Sequence, residues 1–183
     1  MNRIGRNGLR AGILALACGL LGVGAALAGN VGTAGGGQGA AGGASAAACP
    51  VPANAAALRA GMLEEVNTRR RASGLAPLRP SPALERAAAV IACDNSRRGR
   101  MDHVALREGD LRSRIRSEGY RFRSAAEALA HGYRAPGQLA GVWYNSAYHY
   151  PTLMTPAARE TGIAVVVAAN GAPWWAMISA QPR

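Results

Sequence analysis

The fold turns on one stretch of sequence, Gly162-Ile163-Ala164-Val165-Val166-Val167-Ala168-Ala169-Asn170-Gly171-Ala172-Pro173-Trp174-Trp175-Ala176-Met177-Ile178-Ser179-Ala180. Gly162 to Ala169 is a continuous run of β-branched and small apolar residues, and Trp174 to Ala180 reads as a second strand. Asn-Gly between two apolar runs is the strongest short hairpin signal a sequence carries. Consecutive strand residues face opposite ways. Trp143 and one of Trp174 and Trp175 are therefore expected in the core, with the other of the pair outward or under a helix. Upstream the pattern changes to helices. Asn54 is placed to cap one in which Leu58, Met62 and Val66 recur every fourth residue, and Gly74 ends it. Ser81-Pro82 opens a second, with Leu84, Ala88 and Ile91 inward and Gly99 as its stop. Asp110 opens a third carrying Leu111 and Ile115, closed by Gly119. Ala135-Pro136 opens a fourth carrying Leu139, Val142 and Trp143. Tyr120-Arg121-Phe122 is expected to add a third short strand. Helices first and antiparallel strands last define an α+β domain. No internal repeat is visible.

The region before Cys49 is of another kind. Of 24 glycines in 183 residues, 14 lie in residues 1–48. Residues 1–28 read as a secretory signal: Arg3, Arg6 and Arg10, an apolar run from Ala11 to Leu27, and a small-x-small site at Ala26-Leu27-Ala28. An uncleaved anchor or a lipid on Cys18 is the weaker reading, because the apolar run is short for a span. Residues 29–48 hold eight glycines, seven alanines and no charge, the composition of a flexible linker. The folded domain is then 49–183. The expected place is outside the cytoplasm, secreted or periplasmic, with no transmembrane segment once the signal is removed. Cleavage leaves Cys49 and Cys93, which an oxidising compartment pairs, two buried thiols being the alternative. Three histidines and three cysteines exclude large metal clusters and disulfide-dense scaffolds. No phosphate-cradling glycine motif, zinc-ribbon spacing or nucleophile elbow is present.

From Leu58 to Gln181 the order of segments resembles the CAP superfamily (cysteine-rich secretory proteins, antigen 5 and pathogenesis-related 1), in its cysteine-poor bacterial form. Asn67-Thr68-Arg69-Arg70 through Gly74-Leu75 is similar to the family's N-x-x-R-x-x-x-G-L helix end. Met101-Asp102-His103 stands where the family has its first histidine. Gly119-Tyr120 followed by Ala126-Glu127-Ala128-Leu129 resembles G-Y … G-E-N-I, and Trp143 with Ser146-Ala147-Tyr148-His149 and Leu153 resembles W … S-x-x-H-x-x-x-L. Glu160-Thr161-Gly162-Ile163 looks like T-E-I-G-V. The resemblance implies an α-β-α sandwich with a central antiparallel sheet between helical layers. Departures lie beside the motif residues: Ala126 and Ala128 replace a glycine and an asparagine, and Tyr148 and Tyr150 flank His149.

The resemblance also implies that His103, Glu127, His149 and Glu160 share a cleft. Neutral imidazoles suit a divalent metal, zinc first, with the glutamates in support. Two histidines leave coordination positions open, which fits reversible binding better than a closed structural site. The rival expectation is a metal-dependent hydrolase with Glu127 or Glu160 as base. His131 is expected to be a surface or rim residue.

All 21 basic residues are arginine, and the net charge of +11 falls to +8 after removal of the leader (18 Arg, 10 acidic). Nine arginines fall in residues 97–123, among them Arg97, Arg98, Arg100, Arg112 and Arg116. They suggest a face for an anionic envelope component or a small lipid, unless they are simply a solvated surface. Nucleic acid is not expected, since aromatic interleaving is thin.

Overall fold

A computed structural model describes residues 49–183, so the expected signal and linker lie outside the described residues. The hairpin is at the centre. Strand β3 (Glu160–Val167) pairs antiparallel with β4 (Pro173–Pro182), Val165 opposite Trp175 and Gly162 opposite Ile178. Asn170-Gly171 makes the turn: Gly171 has φ of 77°, and the Asn170 side chain accepts from the Ala172 N–H at 3.0 Å.

The remaining elements are helix α1 (Ala55–Ala72), strand β1 (Arg79–Pro80), α2 (Pro82–Arg98), α3 (Leu111–Ser117), strand β2 (Phe122–His131), α4 (Pro136–Tyr144) and α5 (Tyr150–Met154). The sheet order is β1-β3-β4-β2. β1 runs parallel to β3, so the sheet is antiparallel except at that two-residue edge. One face buries Ile163, Val165, Trp175, Met177 and Ala128 under α1, α4 and α5. The other buries Ala164, Trp174, Ala176, Ile178 and Leu129 under α2 and α3. Trp174 and Trp175 thus serve opposite layers, 6% and 1% exposed, and the α-β-α sandwich is complete.

Several sequence expectations change. The third strand is not Tyr120–Phe122 but ten residues from Phe122 to His131. Its Ser124-Ala125-Ala126-Glu127-Ala128 run has weak strand propensity, and pairing with β4 along its whole length imposes the conformation. Val142, which α4 carries with the buried Leu139 and Trp143, is 42% exposed. Asn54 and Ser81 precede helices without making a side-chain cap, whereas the Asp110 carboxylate does accept the Ser113 N–H, at 2.8 Å. Gly99 ends α2 in the left-handed region, φ 63°, as expected of a glycine stop.

The N-x-x-R motif acquires a physical meaning. The Asn67 amide donates to Leu78 O and accepts from Leu78 N, at 3.0 and 2.7 Å, pinning the segment after α1 like one rung of a sheet. Arg70, with no exposed surface, donates to the carbonyls of Ala76, Leu153, Thr155 and Ala158. One guanidinium thereby satisfies irregular backbone from two distant segments, which buried carbonyls require.

The expected Cys49–Cys93 disulfide is present and joins the start of the domain to α2. The Val167 N–H donates to Pro50 O at 2.8 Å, so the entering chain is also tied to the end of β3.

Two changes test this frame. A Cβ at Gly162 would lie 2.0 Å from the Leu84 carbonyl carbon and 2.1 Å from the Glu85 nitrogen, both backbone. Gly162→Ala forces α2 off β3 and is expected to cost about 3 kcal/mol, the upper range for overpacking, in a urea melt. Cys49→Ser/Cys93→Ser opens a 44-residue separation and is expected to lower stability by about 4 kcal/mol. A melt unchanged from the parent would contradict either assignment.

Candidate functional site

Strand β2 is an edge of the sheet, and the site forms around it. Glu127 pairs with Ile178, which pairs with Gly162, so its side chain points to the α2–α3 face. That carboxylate is only 2% exposed, among alanines, and needs compensating charge. Arg114 supplies it. The helix α3 carries Arg114 with no exposed surface, and its Nη2 donates to Glu127 Oε2. Its Nη1 donates to the carbonyls of His103 and Gly109, both at 2.9 Å. Arg114 therefore fixes at once the glutamate and the loop bearing the histidine.

His103 completes the chain of contacts. Its Nδ1 lies 2.9 Å from Glu127 Oε1. A carboxylate only accepts, so Nδ1 donates and Nε2 is left without a hydrogen-bond partner among the described residues. The ring is 62% exposed. Its pKa is raised, chiefly by the hydrogen bond to Glu127, with burial working the other way.

His149 reaches the site from the other helical layer. It precedes α5, which packs on β2, and its Nδ1 lies 3.0 Å from Ser146 Oγ. Its ring is tilted against Trp143, centroids 6.2 Å apart. Burial lowers its pKa, and the charge on His103 lowers it further. Exposed apolar side chains flank both: Val104 and Leu106 near His103, Tyr148 and Tyr150 beside His149.

Glu160 is placed differently from the expectation. It pairs with Ala180 and so lies two residues along the sheet from the row of Glu127. Its carboxylate accepts from the Tyr120 hydroxyl at 2.7 Å and faces Arg79 at 3.5 Å. Burial and that bond together push the Tyr120 hydroxyl well above its usual pKa. The structure joins His103 to Glu127, sets His149 against Ser146 and Trp143, and gives Glu160 a separate polar cluster. His131, expected at the surface, is exposed and stacks on Trp174 with centroids 4.7 Å apart.

The arginine face is also redrawn. Arg98 has only 16% of its side chain exposed, bridges Asp94 at 2.7 Å and donates to Asn95 and Val104. Arg100 is held by Asp102 at 2.7 Å. Arg112 and Arg116 remain exposed. Arg114 was legible only as one arginine among nine. A carboxylate within an alanine-rich strand signals that some buried cation must exist, but not which.

Among the described residues, no group of three or more His, Cys, Asp or Glu side chains is disposed to hold a metal ion. No described helix is long and apolar enough to cross a membrane. A family model described as CAP, the cysteine-rich secretory protein family, matches residues 63–178. The Bacillus subtilis protein YkwD is 25% identical over 123 residues, covering 67% of this chain and 47% of that protein. The chain thus spans about half the length of the curated relative it matches. An outer surface protein of Borrelia burgdorferi superposes with a TM-score of 0.61 at 19% identity, over 67% of this chain and 90% of that one. An extracellular SCP-domain protein of Bacillus anthracis gives 0.61 at 18%, over 72% and 44%. These two likenesses are of fold.

The opposite shifts of the two histidines give a direct test. In an NMR titration His103 is expected to titrate above 6.5 and His149 below it. Glu127→Gln should return His103 toward its ordinary value. Because the His103 pKa is raised, its contribution to stability is full below about 6.5 and is lost as pH rises through the folded value. The His149 contribution has the reverse sign, present above about 6.5 and lost as pH falls through its lowered value. Equal titration of both rings would refute the geometry.

Proposed function

The chain belongs to the CAP, or cysteine-rich secretory protein, family, and on that basis we propose that it is an exported binding domain whose cleft takes a divalent metal, zinc first, through His103 and His149. The observation that carries the proposal is the Arg114–Glu127–His103 chain of contacts. A carboxylate on one imidazole nitrogen fixes the tautomer, orients the ring and raises the basicity of the other nitrogen, the usual support behind a metal-bound histidine. His149, kept neutral by its lowered pKa, has the form a ligand needs. Two imidazoles leave positions open, so the metal would exchange and accept an outside donor. The metal would supply a Lewis-acidic point of attachment.

Binding is favoured over turnover by the state of the glutamates. Glu127 is 2% exposed and engaged on both oxygens, by Arg114 and His103. It orients His103 and is badly placed to take a proton from water. Glu160 is committed to Tyr120 and Arg79. The family's extracellular setting and the leader-like residues 1–28 support a role in the envelope or outside the cell.

Zinc calorimetry tests the reading. Saturable one-site binding is expected, lost in His103→Ala/His149→Ala and weakened about tenfold to a hundredfold by Glu127→Gln. Affinity should fall as pH drops and protons compete for the imidazoles. Binding unchanged in the double variant, or none in the parent, would overturn it.

A further inference from the structure

Among the described residues, eight of the ten acidic side chains are ion-paired, and Glu108 and Asp110 have no such partner there. The acidic partners are therefore spent elsewhere, and a cluster of arginines is left over between α3 and the start of β2. Arg112, Arg116, Arg121 and Arg123 are all exposed there, with no ion pair or side-chain hydrogen bond among the described residues. Residues 1–48 contain no Asp or Glu.

These guanidiniums surround a shaped surface. An open groove of about 420 Å³ is lined by Arg112, Arg123, Ser124 and Asp110. A second of about 140 Å³ is lined by Arg116, Arg121, Arg183 and Tyr120. Phe122 borders both, so they are continuous neighbours. Asp110 also lines the first groove; its carboxylate accepts the Ser113 N–H at the start of α3 and interacts electrostatically with Arg112. The strand register breaks between Phe122 and Ser124, leaving Arg123 outside the ladder. A bulge of this kind re-aims a side chain, here into the groove.

We infer that the groove between α3 and the start of β2 binds a linear phosphate-bearing polymer, Arg112 and Arg123 holding one phosphate group and Arg116 and Arg121 the next. Arginine forks match phosphate oxygens bidentately, and two forks on one site suit a tetrahedral group better than a planar carboxylate, which a single fork satisfies. Two arginine pairs on adjoining cavities call for a repeating anion. A membrane surface fits less well: the site is concave, and the exposed apolar side chains Met101, Val104 and Leu106 lie on the His103 loop. Single-stranded nucleic acid lacks a stacking platform here, since Phe122 is half-buried in the core and the Tyr120 hydroxyl is held by Glu160.

The test uses the full chain with inorganic polyphosphate, in the presence of a chelator, at two ionic strengths. Saturable binding that weakens with salt is expected. Arg112→Gln/Arg123→Gln should weaken it about tenfold with an unchanged melt. Arg107→Gln/Arg134→Gln removes the same charge outside the groove and should leave the affinity as it was. Equal loss in both variants would show net charge alone at work and overturn the site. Tighter binding to phosphatidylserine vesicles or to a single-stranded oligonucleotide would overturn the ligand class.

Discussion

The buried pair of Arg114 with Glu127 is the interaction on which the functional end of the molecule depends. A buried ion pair adds little net stability over a well-packed apolar substitute, because desolvation consumes much of the attraction. Its effect here is positional. Arg114 binds the edge strand through Glu127 and the loop through the His103 and Gly109 carbonyls. Helix α3, the loop 101–109 and strand β2 are held to one another at a single guanidinium. With either partner removed, a charge would be stranded in the core and the His103 ring would lose its orientation.

Arg70 has the corresponding role on the opposite layer, without a carboxylate. Its donors collect carbonyls after α1 and around the exit of α5, where the backbone has no ladder or helix to satisfy it. Burial lowers its pKa, yet an arginine starts so high that it stays charged. A long, multiply donating, permanently charged side chain suits both places. The two buried arginines fasten the irregular segments onto a sheet that is otherwise held by apolar contacts.

The edge strand β2 then serves two surfaces. Near its middle, Glu127 faces the histidine loop and α5 closes from the other layer. At its start, the break at Arg123 opens toward α3 and gathers unpaired guanidiniums. The first surface is compensated charge, each oxygen matched to a donor inside the protein. The second carries an excess of positive charge facing water, which is the state of a surface that meets an anion. Arg112, Arg114 and Arg116 share one short helix and divide between these roles.

Alternation, turn chemistry and glycine stops act over a few residues, so the hairpin, the four principal helices and the α+β class were readable in the chain itself. The ordered short motifs carried the family and pointed to His103, Glu127 and His149. Other features depended on partners far away in sequence. The alanine-rich β2 became a long strand because β4 pairs with it, and β1 and α5 are too short to announce themselves. Glu160 went to Tyr120 because strand register, not motif, sets its row. Above all, nothing local in Arg112-Ser113-Arg114-Ile115-Arg116 tells a surface arginine from a buried one. Arg114 and Ile115 are buried together, while Arg112 and Arg116 face water. Local pattern determined the elements. Only packing decided which charges lost their water, and a charge that loses water must find a partner inside the fold.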